Sequence, residues 1–150
     1  MRAYRLAKAA RAAEAFNGEG ARVYGGRWNR AGTPMVYAAE NRALAALEVL
    51  VHVGAAERHL QFVVFEIDIP DALTLTLAPA GLPADWQSPA PAASTQAIGS
   101  AWQKAGKSAA LRVPSVLVPG EHCVLLNPVH PGTRKIIVNF PTVFTFDGRL

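Results

Sequence analysis

A run of alternating residues, LQFVVFEIDI at positions 60–69, restricts the fold more than any other feature of the sequence. Alternation with a period of two is typical of a strand, and Pro70 ends the run because proline has no N–H for a ladder hydrogen bond. Several other short apolar segments also predict strands. They lie at residues 3–7, 35–38, 73–77, 111–118, 123–127 and 135–140. About seven short strands indicate a sheet-based fold rather than a helical bundle.

Residues 41–54 instead have the periodicity of an amphipathic helix, with Asn41 in the position of its N-cap. The pattern ALAALEVLVH at positions 43–52 leaves few polar positions, so we expect this helix to be almost entirely buried. Glu48 lies in the middle of that pattern. A carboxylate there is either an ordinary solvent-facing side chain, a paired one or a functional one.

The segments around these elements complete a mixed α+β prediction for a single domain spanning residues 1–150. A second helix is expected over residues 94–106, capped by Ser94 or Thr95. Two segments are predicted to be loops because they are rich in glycine or proline, residues 18–34 and 78–93. The role of residues 78–93 is open at this stage.

Composition excludes several classes of protein. The 150 residues are 51% hydrophobic and 17% charged, which excludes a disordered chain, and no apolar run is long enough for a membrane span. The single cysteine fits a reducing compartment, so we expect a cytoplasmic protein, and the basic N-terminal residues lack the apolar core of a targeting signal. The net charge of +4 comes from scattered single residues, which argues against direct nucleic-acid binding.

Common catalytic and metal-binding motifs are also missing. One cysteine excludes an internal disulfide and a cysteine-rich zinc site, and the four histidines do not show H-E-x-x-H spacing. Neither glycine-rich phosphate-binding motif occurs, and Ser115 lies in PSV rather than in the G-x-S-x-G of a serine hydrolase. No metal is expected.

Three residues nevertheless suggest a binding site. Arg27 in GGRWN has glycines that allow a ligand to approach closely, and arginine grips phosphate or carboxylate with a planar fork. Tyr37 is either a core aromatic or a platform for a flat ring. Arg27 and Glu48 together predict a buried ion pair, which would be either a structural tie or part of a binding cleft.

The run FNGEGARVYGGRWNRAGTPMVYAAENRALAALEVLVH and the later PSVLVPGEHCVLLNPVHPGTRKI resemble the RES-domain family, over about residues 3–140. The family is named for an Arg, a Glu and a Ser, which match Arg27, Glu48 and Ser115. Tyr37 matches the family's tyrosine. Cys123 departs from the pattern, since an Asn is expected eight residues after the serine.

This resemblance implies a fold related to ADP-ribosyltransferases, with mostly antiparallel strands around an NAD cleft. It also implies a toxin that cleaves the nicotinamide–ribose bond of NAD by hydrolysis or phosphorolysis. Glu48 would stabilise the transition state, with Arg27, Tyr37 and Ser115 completing the catalytic set. The expected contacts to NAD come from seven positions in all, the further ones being Arg5, Trp28 and Asn127.

The resemblance also implies a partner, an Xre-like helix-turn-helix antitoxin that blocks the cleft, with any DNA contact made through that protein. Two other functions stay open. One is transfer of ADP-ribose to a cellular protein, and the other is a non-catalytic binding module tied together by an Arg27–Glu48 ion pair. Neither the acceptor of the ADP-ribose nor the oligomeric state follows from the sequence.

Overall fold

Eight strands and three α-helices make up the fold in a computed structural model that describes all 150 residues. The strands are β1 (Arg2–Lys8), β2 (Val36–Ala39), β3 (Phe62–Asp68), β4 (Thr74–Thr76), β5 (Ala110–Pro114), β6 (His122–Leu126), β7 (Ile137–Val138) and β8 (Thr142–Phe144). The helices are α1 (Glu19–Tyr24), α2 (Arg42–Leu50) and α3 (Ala93–Ala105). Five short 3-10 segments lie between them. None of the helices combines the length and apolar character needed to cross a membrane.

The strands form one sheet in the order β4–β5–β6–β2–β1–β3–β7, and β8 also pairs with β3. All pairs are antiparallel except β4 with β5. β1 pairs with β3 along its whole length but meets β2 at a single pair, Tyr4 with Ala39. The sheet therefore consists of two halves whose strand pairing is limited to one residue pair. The predicted mixed, mostly antiparallel α+β fold is confirmed.

Helix α2 lies across the junction of the two halves. Leu44 and Ala45 pack in the apolar cluster built on β2, β5 and β6, whereas Ala46 and Val49 pack against the cluster built on β1 and β3. The Asn41 side chain caps the helix by accepting a hydrogen bond from the Leu44 amide at 2.8 Å, as predicted. One helix thus joins the two half-sheets by apolar contacts on both sides.

The expectation of an almost entirely buried α2 is wrong. Only Leu44 and Ala45 are buried in it, because nothing packs on the side that faces away from the sheet. A run of alanine and leucine does not distinguish a helix packed on one side from one enclosed on all sides, since alanine is tolerated in both settings.

Other predicted elements differ from the structure as well, including the strand expected over 111–118, which ends at Pro114. The glycine-rich segment 18–34 contains the short helix α1, which Asn17 supports by accepting from the Glu19 amide at 2.9 Å. Neither Ser94 nor Thr95 caps α3, because the chain enters the helix at Ala92. The expected strand at 135–140 is reduced to β7, and β8 was not predicted.

Helix α3 packs directly against the GGRWN segment, and Gly99 makes that contact possible. A Cβ built on Gly99 would lie 1.8 Å from the Trp28 carbonyl oxygen. Two polar contacts flank this point, from Gln96 Nε2 to the Gly26 carbonyl at 3.0 Å and from the Arg30 amide to Ser100 Oγ at 3.0 Å. The backbone of the GGRWN segment is therefore held in place by one face of α3.

Replacing Gly99 with alanine should push α3 away from the GGRWN segment. The added methyl group meets backbone rather than a flexible side chain, so we expect the free energy of unfolding to fall by about 3 kcal/mol, the upper end for overpacking. Chemical denaturation measures this change. Gly20→Ala is the matched control, since it is also helical and has nothing within 4 Å of the added methyl group. Equal stability of the two variants would contradict the close packing.

Candidate functional site

Glu48 is held by hydrogen bonds to one of its two carboxylate oxygens. It lies four residues after Leu44, on the side of α2 that faces β6. Its Oε1 accepts from Ser115 Oγ at 3.1 Å and from Cys123 Sγ at 3.1 Å. Oε2 makes no hydrogen bond within the protein. The carboxylate is half-buried, with one oxygen anchored and the other available to a ligand.

Ser115 follows β5 and is 3% exposed. Its Oγ accepts hydrogen bonds from the amides of Leu117 at 3.1 Å and Val118 at 3.2 Å. Both lone pairs of the hydroxyl are thereby occupied, and its proton is directed at Glu48. Ser115 is therefore arranged as a donor to the carboxylate and not as a nucleophile.

Cys123 approaches Glu48 from β6. Burial raises the pKa of the Cys123 thiol, and the neighbouring negative charge of Glu48 raises it further. The thiol consequently stays protonated at neutral pH and acts as a donor. Cys123 occupies the position where the family pattern leads us to expect an Asn, and its thiol, like an Asn amide, can donate to the carboxylate.

Tyr37 lies next to this group on β2 and organises the GGRWN segment. Its side chain is on the same face of the sheet as Cys123, its diagonal neighbour across β2 and β6 at about 7–8 Å. The hydroxyl donates to Asn29 Oδ1 at 2.7 Å and accepts from the Trp28 amide at 3.0 Å. Burial raises the pKa of Tyr37, so the phenol remains neutral. A Cβ on Gly26 would lie 2.6 Å from this hydroxyl.

Asn29 is a residue of this region that the sequence analysis did not single out. It is fully buried, and its Nδ2 donates to the Ala21 carbonyl at 2.8 Å and the Thr33 carbonyl at 3.0 Å. Together with the bond from Tyr37, these contacts fix the turn that carries Arg27. A polar residue among glycines and a tryptophan was the available signal, because such a turn needs side-chain hydrogen bonds to hold its backbone.

Arg27 does not pair with Glu48, so the predicted ion pair is wrong. Its Nη1 donates to the carbonyls of Trp86 at 3.1 Å and Ser88 at 2.8 Å, and its Nη2 donates to that of Pro89 at 3.2 Å. A guanidinium has five N–H donors, so it can satisfy several backbone carbonyls of one loop at once, and three of those of Arg27 are used in this way. The Nε–H and one Nη2–H remain free for an anion.

Three further residues predicted to contact NAD make no hydrogen bond to the Glu48 carboxylate. Trp28 is 2% exposed and its ring belongs to the apolar core, so the side chain offers no surface to a ligand. Arg5 lies with Ala3 and Ala7 on the opposite face of β1 from Tyr4. Asn127 is four residues beyond Cys123, about 13 Å along the strand.

Backbone contacts occupy both Arg5 and Asn127. Arg5 donates to the carbonyls of Ala15 at 2.7 Å and Tyr37 at 2.6 Å, and burial lowers its pKa to about 10, which leaves it charged at neutral pH. Asn127 donates to the Gln103 carbonyl at 2.9 Å. The structure gives both residues a role in holding the fold, and their contacts to NAD stay predictions.

The structure thus brings Glu48 and Ser115 into direct contact, adds Cys123, and places Tyr37 beside them. Arg27 joins this group through the turn that Tyr37 supports. A carboxylate with a free oxygen near a cationic turn can bind a sugar hydroxyl and a phosphate of one ligand. No group of three or more potential metal ligands is found.

Comparisons with known proteins identify the family of this chain. The RES domain model matches residues 2–147. A protein named Toxin Res from Photorhabdus laumondii is 43% identical over 148 residues, which cover 98% of this chain and 95% of that protein. A protein named Prs ADP-ribosylating toxin from Sphingobium sp. strain YBL2 is 37% identical, with 98% of this chain and 94% of that protein covered.

A solved structure is similar over almost the whole chain. One chain of the MbcT–MbcA toxin–antitoxin complex of M. tuberculosis superimposes with a TM-score of 0.77 and 25% sequence identity. The match covers 96% of this chain and 84% of that one. From the family match and the identity to these relatives, we conclude that this chain belongs to the RES domain family.

Proposed function

We propose that this protein is the toxin of a toxin–antitoxin pair and that it cleaves the nicotinamide–ribose bond of NAD in the cytoplasm. The observation that carries the proposal is the Glu48 carboxylate, with Oε1 held by Ser115 and Cys123 and Oε2 free of protein contacts. Relatives named Toxin Res support the role of a toxin.

The chemistry of NAD suits such a carboxylate. Nicotinamide leaves as a neutral molecule when the electrons of the C1′–N bond pass to the pyridinium nitrogen, so no general acid is needed. Positive charge then develops on the ribose, as in glycoside hydrolysis. Glu48 Oε2 would accept from a ribose hydroxyl and stabilise that charge. Water or phosphate would complete the reaction by bonding to C1′, and an attacking water would release its proton to bulk solvent.

The remaining side chains would position the dinucleotide. Arg27 would use its free Nε–H and Nη2–H to bind the pyrophosphate, and the ring of Tyr37 would form a wall for the nicotinamide. Ser115 would act through Glu48, since its own lone pairs are occupied. These roles divide the task into charge stabilisation and positioning.

A second candidate function is transfer of ADP-ribose to a cellular protein. The 37% identical relative named Prs ADP-ribosylating toxin favours it. The same carboxylate would serve both reactions, which differ only in the acceptor that bonds to C1′. Incubation of cell extract with labelled NAD distinguishes them, because transfer leaves label on a discrete protein band.

The proposed partner is an antitoxin that covers the cleft. Similarity to a chain of the MbcT–MbcA complex supports a partner of this kind. An Xre-like helix-turn-helix protein is the specific type we propose. The non-catalytic alternative has lost its structural basis, because Arg27 and Glu48 do not form the ion pair on which it depended.

Removing the charge of Glu48 should abolish most of the activity and leave the fold intact. We expect Glu48→Gln to lower kcat for NAD loss by about 100-fold or more, the scale seen when an electrostatic stabiliser is removed. Thermal unfolding should change little, because the side chain is only half-buried. The exposed Glu14→Gln is the matched control. Full NAD turnover by Glu48→Gln would contradict the proposed role.

The same assay, run with and without phosphate, identifies the acceptor. Hydrolysis should release ADP-ribose at a rate independent of phosphate, whereas phosphorolysis should require it and yield a phosphorylated ADP-ribose. NAD that persists under both conditions, with no labelled protein in extract, would count against an NAD-cleaving enzyme altogether.

Replacing Arg27 with alanine should affect both the loop and the substrate. Loss of three hydrogen bonds to carbonyls should speed amide hydrogen exchange across residues 83–92. Loss of the charge should raise KM for NAD by about tenfold or more. Arg30→Ala is the control, since the Arg30 side chain is exposed and makes no hydrogen bond. An unchanged KM would exclude Arg27 from NAD binding.

A further inference from the structure

Glu48 accepts hydrogen bonds from two side chains, Ser115 and Cys123. Only Cys123 is not one of the residues that the family pattern leads us to expect in the site. Its Sγ lies 3.1 Å from Oε1, at the same distance as the Ser115 hydroxyl. The two donors lie on different elements: Ser115 is in the turn after β5, and Cys123 is in β6. Donors to an sp² oxygen prefer the lone-pair directions in the plane of the carboxylate, so two donors on one oxygen restrict the rotation of that plane more than a single donor does.

We infer that Cys123 is a positioning residue, whose thiol acts with Ser115 to hold Oε1 of Glu48 so that Oε2 is the oxygen presented to the ribose. This inference rests on the proposed cleavage of NAD. Glu48 has three rotatable side-chain bonds on a half-exposed helix, and without the second donor its carboxylate would sample other orientations. The protonated thiol remains a donor at neutral pH because burial and the charge of Glu48 both raise its pKa.

Kinetics of NAD loss test the inference with three variants. Cys123→Ala should lower kcat by roughly tenfold and leave KM unchanged, since a donor to the charged carboxylate is lost but the phosphate contacts remain. Cys123→Ser keeps a donor and should restore most of the kcat. Val124→Ala is the control: it truncates the next buried residue of β6, whose side chain faces the opposite side of the sheet, and should reduce stability without lowering kcat.

A kcat for Cys123→Ala equal to that of the wild type would overturn the inference. So would an equal loss of kcat in Cys123→Ser, because the hydroxyl retains the hydrogen bond while the alanine does not. A drop in kcat for Val124→Ala of the same size as for Cys123→Ala would show that general loosening of β6 is responsible, and would overturn it too.

Infrared spectroscopy tests the contact itself without any activity. The chain has one cysteine, so it gives one S–H stretching band. A thiol that donates to a carboxylate absorbs at lower frequency than a free one, and Glu48→Ala should therefore raise the frequency of this band. An unchanged band would overturn the inference even if the wild type cleaves NAD. A shifted band in a protein that does not cleave NAD would support the contact while the proposed function fails.

Discussion

The apolar packing of α2 across the point where the two half-sheets meet is the contact on which the structure depends. β1 and β2 share a single residue pair, so backbone hydrogen bonds alone hold the halves together weakly there. Helix α2 compensates by contributing side chains to the clusters on both sides. Glu48 is carried by that same helix, one turn beyond Leu44, and its position therefore depends on the packing that joins the two halves.

The parts of the fold that could be predicted are those with strong local patterns. The alternation at 60–69 and the Asn41 cap indicated β3 and the start of α2 correctly, because each depends on neighbouring residues only. The burial of α2 could not be predicted from its own residues, since it depends on what else packs there. Strand β8 has three residues and pairs with β3 far away in sequence, which no local pattern reveals.

The site was predictable as a set of residues but not as a set of contacts. Resemblance to the family identified Glu48 and Ser115, and in the structure Ser115 Oγ lies 3.1 Å from Glu48 Oε1. The partner of Arg27 was predicted wrongly because Glu48 was chosen for its opposite charge, whereas the groups that Arg27 contacts are uncharged backbone carbonyls. Its carbonyl partners lie about sixty residues further along the chain. Asn29 was not predicted because its side chain holds a turn of the backbone and belongs to no catalytic motif.

The segment around Trp86 contributes backbone carbonyls, not side chains, to Arg27. Every residue type has such a carbonyl, so the contact places few demands on which amino acids the segment contains. Substitution of the Trp86 or Ser88 side chain therefore leaves the carbonyls that hold Arg27 in place, as long as the backbone of the segment keeps its path.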